Sequence, residues 1–387
     1  MKHSDPRIVT IVTASLFATA AHAQSSVTLY GMIDNGISYV NNAVNAKGGH
    51  SSLIKEDEGV DGGSRWGITG VEDLGGGLKT VFVLENGFQA NNGTFSQGGA
   101  EFGRQAYVGL EKDGIGALTF GRQYSFSDEY LGHSYATGGL TSAGNYAFHI
   151  DTIDQLTESR INNSVKFESA DFSGLKFGGV FGFSNEAGAF GGDPTTAPGG
   201  GSTRDYSFGI KYRNGSFSAG FAYTDISFPL SATPAFKITI ANINPGVVSD
   251  LRTYGVGARY NLGSFTAYGL WTNTRLASAN GMASTFNAFE GGGLYHFTPA
   301  LTAALGYTRS QLRGSQDGTW NQINSSLDYS FSKRTDVYLL AIYQKASGSN
   351  DGVPVQAQIG KTTTYFGPSG TGASNQLVFR LGVHHTF

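Results

Sequence analysis

After Gln24 one pattern recurs along nearly the whole chain: side chains alternate between apolar and polar or glycine with a period of two. In Asp205–Arg213, Tyr206, Phe208, Ile210 and Tyr212 share one face, while Ser207, Gly209, Lys211 and Arg213 share the other. Tyr254, Val256, Ala258 and Tyr260 likewise oppose Thr253, Gly255, Gly257 and Arg259. Ile161, Asn163, Val165 and Phe167 oppose Asn162, Ser164, Lys166 and Glu168. A period of two is that of a β-strand with two unlike faces, and it excludes amphipathic helices. About sixteen such segments can be marked: 26–40, 63–72, 78–88, 103–111, 116–123, 160–168, 174–184, 205–213, 216–225, 250–261, 264–276, 284–297, 300–311, 319–331, 334–346 and 376–387.

The links between them alternate in length. Tight turns fall at Asp73–Gly77, Asp113–Gly116, Asp171–Gly174, Asn214-Gly215, Asn261–Gly263, Thr298-Pro299 and Ser332–Asp336. Longer links occupy 41–62, 89–102, 124–159, 185–204, 226–249, 277–283, 312–318 and 347–375. Short turns at one rim and longer loops at the other predict an all-β fold, an antiparallel up-and-down barrel of sixteen strands with both termini at the short-turn rim.

Composition settles which face looks where. Of 387 residues, 57 are glycine, 13% are aromatic and only 14% are charged. A barrel of sixteen strands is too wide for side chains to fill, so a channel follows. A polar, glycine-rich face then suits a watery lumen, and the aromatic and aliphatic face suits lipid. Tyr212, Tyr223, Tyr260, Tyr307, Tyr343 and Phe387 end apolar faces, as interfacial girdles do. The start of the chain agrees. Lys2, His3 and Arg7 precede an apolar stretch from Ile8 to Ala21, and Ala21-His22-Ala23 has the form of a cleavage site. Residues 1–23 are therefore expected to be a secretory signal peptide and 24–387 the barrel. The chain has no cysteine, which removes disulfides, thiolate metal sites and cysteine nucleophiles. A net charge of -3 argues against a nucleic-acid partner.

Several motifs stand in a recognisable order: Ser26-Val27-Thr28-Leu29-Tyr30-Gly31, Ser64-Arg65-Trp66-Gly67, Leu84-Glu85-Asn86-Gly87-Phe88, Gly103-Arg104-Gln105-Ala106-Tyr107-Val108-Gly109-Leu110, Gly121-Arg122-Gln123-Tyr124, Arg160-Ile161-Asn162-Asn163-Ser164-Val165 and a terminal His384-His385-Thr386-Phe387. Together they resemble the trimeric general porins of Gram-negative outer membranes, in particular the beta-proteobacterial branch. The resemblance implies a homotrimeric diffusion channel in the outer membrane for ions and small hydrophilic solutes, contacting outer-membrane lipids, with no enzyme activity, cofactor or metal. It also implies that the third loop, 124–159, folds inward to make a waist. The opposing wall would carry Arg65, Arg104 and Arg160, with Glu85 beside them. Phe387 would close a signal read by the outer-membrane assembly machinery. The loop's carboxylates, Asp128, Glu129, Asp151, Asp154 and Glu158, lie towards its ends and leave an acid-poor middle. Arginines facing that middle imply a modest anion preference.

Parity places Arg65 and Glu85 inward, opposite Trp66 and Leu84, and sets Arg160 on the face of Asn162, Ser164 and Lys166. Arg104 shares its side with Ala106, Val108 and Leu110, which is less clean. Arg122 falls on the lipid side with Leu118 and Phe120, where a neighbouring subunit's loop or the water-exposed rim would relieve its charge. An outer-membrane hydrolase would need a histidine beside a nucleophile, and His50, His133, His149, His296, His384 and His385 are expected at surfaces or rims instead. A substrate-specific uptake channel for small anionic solutes is the alternative that differs only in degree.

Overall fold

In a computed structural model, residues 26–150, 153–192, 203–229, 248–278, 280–360 and 366–387 are described. The expected signal segment lies outside them, as does Asp151. Sixteen antiparallel strands close into one barrel. They are β1 (Ser26–Val44), β2 (His50–Glu58 continued by Arg65–Gly75), β3 (Leu78–Gly87), β4 (Gln105–Lys112), β5 (Gly116–Tyr124), β6 (Arg160–Ser169), β7 (Leu175–Gly182), β8 (Arg204–Asn214), β9 (Phe217–Ser227), β10 (Val248–Leu262), β11 (Phe265–Ser278), β12 (Ala283–His296), β13 (Leu301–Gly314), β14 (Gly318–Ser330), β15 (Thr335–Ser347) and β16 (Asn375–Thr386). Each pairs with its sequence neighbour, and β16 closes on β1 from Met32 opposite Thr386 to Val40 opposite Val378.

The faces follow the alternation. On β10, Thr253, Gly255 and Gly257 are buried inward, while Val256 and Tyr260 are exposed outward. The turns on the narrow rim need backbone that only glycine takes cheaply: Gly75, Gly76 and Gly77 all have positive φ between β2 and β3.

Three features depart from the expected plan. The link 41–62 is mostly strand, since β1 turns at Asn45–Gly49 and returns as the first half of β2. The links at 279–282 and 315–317 are as short as turns, because β11 to β14 continue as paired strands towards the loop rim. Finally, the upper lumen is not polar throughout. Leu251, Leu276, Phe286, Leu312 and Trp320 point inward and pack with Ile150 and Ile153 of the third loop and with Val355 and Ala357 of the last. Inward apolar residues there form a core because loops fill the mouth.

Candidate functional site: an arginine wall opposite an inward-folded loop

The third loop leaves β5 at Tyr124 and enters the barrel through short helical turns at Ser127–Gly132, His133–Tyr135, Thr137–Leu140 and Gly144–Ala147. It lies against an inner wall stripped of side chains. A Cβ at Gly257 would stand 2.6 Å from the Tyr135 side chain, and one at Gly209 2.9 Å from Phe126 and Tyr130. One at Gly220 would meet Tyr135 at 2.8 Å, and one at Gly178 would meet Phe126 at 2.4 Å. The glycines read in the sequence as lumen space are thus the docking surface for the loop's aromatic rings.

Polar latches complete the attachment. The Thr137 amide donates to Glu290 at 2.8 Å, and Gln155 Nε2 donates to Thr253 at 3.1 Å. His149 is fully buried between two carboxylates, donating to Asp154 at 2.5 Å and to Glu290 at 3.2 Å. Burial alone would lower this imidazole's pKa, but Asp154 and then Glu290 outweigh it and hold it up at about 10. His149 is therefore a buried cationic latch and not the surface or rim residue expected from its place in a loop. Further along, Ser142 donates to Asp328 at 3.2 Å, the Asn145 amide donates to the Val60 carbonyl at 2.6 Å, and the Tyr146 hydroxyl bonds Asp57.

The loop's carboxylates mostly serve these attachments. Asp128 is buried, accepts the Ser159 amide at 3.2 Å and pairs with His133 at 2.9 Å. Glu129 pairs with Lys166 at 2.6 Å. Asp154 is buried against His149 and Thr272. Glu158 alone among those described is exposed, and it lies close enough to Arg104 to stabilise that charge.

Arg65, Glu85, Arg104 and Arg160 come together on the wall of β2 to β6. Arg104 Nε donates to Glu85 at 2.6 Å, and the Tyr30 hydroxyl donates to the other Glu85 oxygen at 2.9 Å. The Tyr124 ring lies between two guanidinium groups, 4.7 Å from that of Arg160 and 6.0 Å from that of Arg104. Arg160 also donates to the Tyr124 hydroxyl at 2.9 Å. Arg65 Nε is held by the Gly63 carbonyl at 3.0 Å, and a Cβ at Gly63 would touch Arg104. Arg104 precedes the first residue of β4, so the parity of Val108 and Leu110 does not apply to it.

For β6 the parity argument fails at Ile161 and Asn162. Asn163 has a φ of 51°, and the β5–β6 register shifts between Gly121 and Gln123. This bulge turns Ile161 inward, where it packs with Phe126, Tyr130 and Leu156, and not towards lipid as alternation predicted. Arg160 reaches the wall cluster through Tyr124, and Asn162 is left to bond Arg122. Arg122 also donates to the Gly103 carbonyl at 2.8 Å. Within this chain its outward guanidinium is thus met by the Gly103 carbonyl and Asn162.

A second charged group went unread in the sequence. Behind Glu58 the chain breaks from the strand and carries Asp61 into the lumen. There His384 Nδ1 lies 3.0 Å from Asp336 and 3.6 Å from Asp61. Asp61 and Asp328 also line an open cavity beneath the loop, together with Ser142, Arg259 and His296. Asp336 and His384 are directly opposed in the β15–β16 register, and the inward kink at 59–64 adds Asp61 to them. Beside them Arg380 is buried against Asp34 at 3.4 Å and against Asp57.

A model of the Gram-negative porin family matches residues 9–349. The chain belongs to that family. It is 32% identical over 265 residues to an outer membrane porin protein of Bordetella pertussis, a match spanning 65% of this chain and 66% of that protein. Outer membrane porin protein 32 of Delftia acidovorans is 27% identical over 377 residues, covering 95% and 96% of the two chains. Among solved structures, the anion-selective porin from Comamonas acidovorans shares the fold with a TM-score of 0.75 at 24% identity, over 94% of this chain and 100% of that one. An outer membrane protein of Vibrio cholerae in its trimer form aligns with a TM-score of 0.66 at 14% identity, over 94% and 99%. The porin is thus an outer-membrane channel through which small hydrophilic solutes diffuse passively.

Proposed function

We propose that the waist of this porin lies between the third loop and the wall of Arg65, Arg104 and Arg160, and that it prefers anions modestly. The observation that carries this reading is the use of charge on each side. Asp128, Glu129 and Asp154 are spent on holding the loop, and among the described residues Glu85 and Glu158 are the carboxylates beside the three arginines. Among these described side chains the balance is a single surplus positive charge. Fixed charge in a narrow, low-dielectric passage acts on the passing ion more strongly than in bulk water. The acid group around Asp61, Asp328 and Asp336 works against this preference from another part of the lumen. That is why the expected selectivity is modest. The fold shared with an anion-selective porin agrees with the sign.

The same reading has the chain act as a pore and not as an enzyme. His149 and His133 are tied into loop attachment, and His384 sits between the carboxylates of Asp61 and Asp336. It also has the porin assemble as a homotrimer, after insertion by the outer-membrane assembly machinery. Planar-bilayer recording across a salt gradient tests both points. Reversal at an anion-selective potential with conductance steps in threes is expected, and cation selectivity would overturn the assignment of the waist. Saturation of conductance by one small anion would favour a substrate-specific channel instead.

A further inference from the structure

The outer surface of β9 to β13 changes character along its height in a way the pore does not explain. The register places Phe221, Val256, Trp271, Phe289 and Arg309 opposite one another in one row across these strands. Two residues nearer the loop rim the row reads Tyr223, Tyr254, Asn273, Asn287 and Gln311. Two residues further it reads Asp225, Arg252, Arg275, Thr285 and Arg313. Successive rows are about 6.6 Å apart along a strand. Across β9 to β12 the face thus passes from apolar, through aromatic hydroxyl and amide, to mostly charged side chains, with Arg309 on β13 the exception in the apolar row. These residues point out of the barrel, because Leu251, Thr253, Thr272, Thr274 and Phe286 between them are buried inward.

Arg252 and Arg275 are directly opposed, so their Cα atoms lie only about 5 Å apart. Like charges in that arrangement destabilise a sheet unless something lies between or over them. Asp225 opposes Arg252 on the other side, but one of its oxygens is 3.5 Å from Arg204 and the other accepts from Tyr223. Asp250 is the remaining carboxylate near Arg252 and Arg275, and it also faces Asp225 and Arg204. Arg252 Nε is buried without a hydrogen-bond partner, and Arg275 is exposed with no hydrogen bond or ion pair among the described residues. Arg313 reaches only the exposed Asp317, at 3.7 Å, together with neighbouring carbonyls and Thr319. At the opposite rim the same strands end outward in Tyr260, Leu262, Phe265, Tyr295 and Phe297, an aromatic girdle.

We propose that this outward row, Arg252, Arg275 and Arg313, binds the phosphates of a phosphorylated glycolipid headgroup in the outer leaflet. Guanidinium groups bind phosphate oxygens in pairs, and a phosphate over two opposed arginines removes their repulsion. The acyl chains of the same lipid then lie along Val256, Trp271 and Phe289, and the amide row meets its sugar and ester groups. The loop rim of an outer-membrane barrel faces the outer leaflet, so the row is at headgroup depth on that side only.

The purified full-length protein, reconstituted in lipid nanodiscs, tests this with three probes: a bisphosphorylated lipid A, the same lipid A with its phosphates removed, and phosphatidylglycerol. Native mass spectrometry should show the bisphosphorylated form retained in preference to both others. In Arg252→Gln/Arg275→Gln that retention should fall about tenfold or more, while Arg252→Lys/Arg275→Lys keeps most of it. Conductance and reversal potential should be unchanged in both variants, because neither side chain faces the lumen. Equal retention of the dephosphorylated lipid, equal retention of phosphatidylglycerol, or undiminished binding by the glutamine variant would each overturn the proposal. Should the glutamine variant fail to insert, the comparison of lipids on the unaltered protein still decides.

Discussion

A charge in this barrel acts according to what lies within hydrogen-bonding reach of it. Arg104 and Glu85 form a buried pair, and in the proposed waist Arg104 counts with Arg65 and Arg160 in the balance of charge. Replacing Arg65 and Arg104 by Ser should turn the local balance from one surplus positive charge to one surplus negative charge. The reversal potential should move towards cations; an unmoved potential would place the governing charges elsewhere, at Asp61 and Asp328 first. His149 gives a second test. His149→Ala leaves Asp154 and Glu290 buried without their cation, at a cost of about 3–5 kcal/mol to the docked loop. Its pKa rises from 6.5 free to about 10 when docked, so the stabilisation is complete below about 6.5 and is lost as pH climbs through 10. Protection of the third loop from chymotrypsin should thus be weaker in His149→Ala at pH 6.5, and the gap from the unaltered protein should close towards pH 10. A gap independent of pH would mean that His149 contributes by packing alone.

Elements in this fold are legible where one chain segment decides its own faces. The alternation on β8 and β10 gave inward and outward residues correctly, because neighbouring strands add only hydrogen bonds to a pattern already written. The third loop is different, since its path depends on a wall two to five strands away. The aromatic rings of Phe126, Tyr130 and Tyr135 and the glycines of β7 to β10 look unrelated in sequence and fit together only in space. Gly257→Val should insert a side chain between wall and loop, push Tyr135 towards the lumen centre and lower single-channel conductance. Overpacking of this kind costs about 1–3 kcal/mol, too little to prevent the barrel from assembling. Unaltered conductance with unaltered loop protection would show that the contact at Tyr135 is not what positions the waist.

At the scale of the whole molecule, closure is the step that removes the last free strand edges. The final residue takes part: Phe387 exchanges backbone hydrogen bonds with Gly31 at 3.0 and 3.1 Å, and its ring covers the place where a Gly31 side chain would stand. Deleting Phe387 should lower the yield of inserted barrel without affecting export, as read by membrane fractionation. Normal yield would remove the terminal ring from the assembly signal. Protease added to intact cells should cut within 185–204 or 226–249 and spare Asn214-Gly215 and Asn261–Gly263, and cleavage at either turn would reverse the orientation.

The amino-acid sequence by itself determined the number of strands, their faces and the rim on which each link lies, because a period of two and a turn glycine are local facts. Parity also pointed Arg65 and Glu85 inward, whereas Arg104 was left less clean by its neighbours Ala106, Val108 and Leu110. Four things were decided only in three dimensions. One is the bulge at Asn163 that turns Ile161 inward, since one residue in the left-handed region inverts the parity of Ile161 and Asn162. Another is the latch of His149 between Asp154 and Glu290, whose partners lie 5 and 141 residues away. The others are the kink that delivers Asp61 to His384 and the opposition of Arg252 to Arg275. The last three bring charges together in space, and their energies depend on separation and burial that no linear pattern carries.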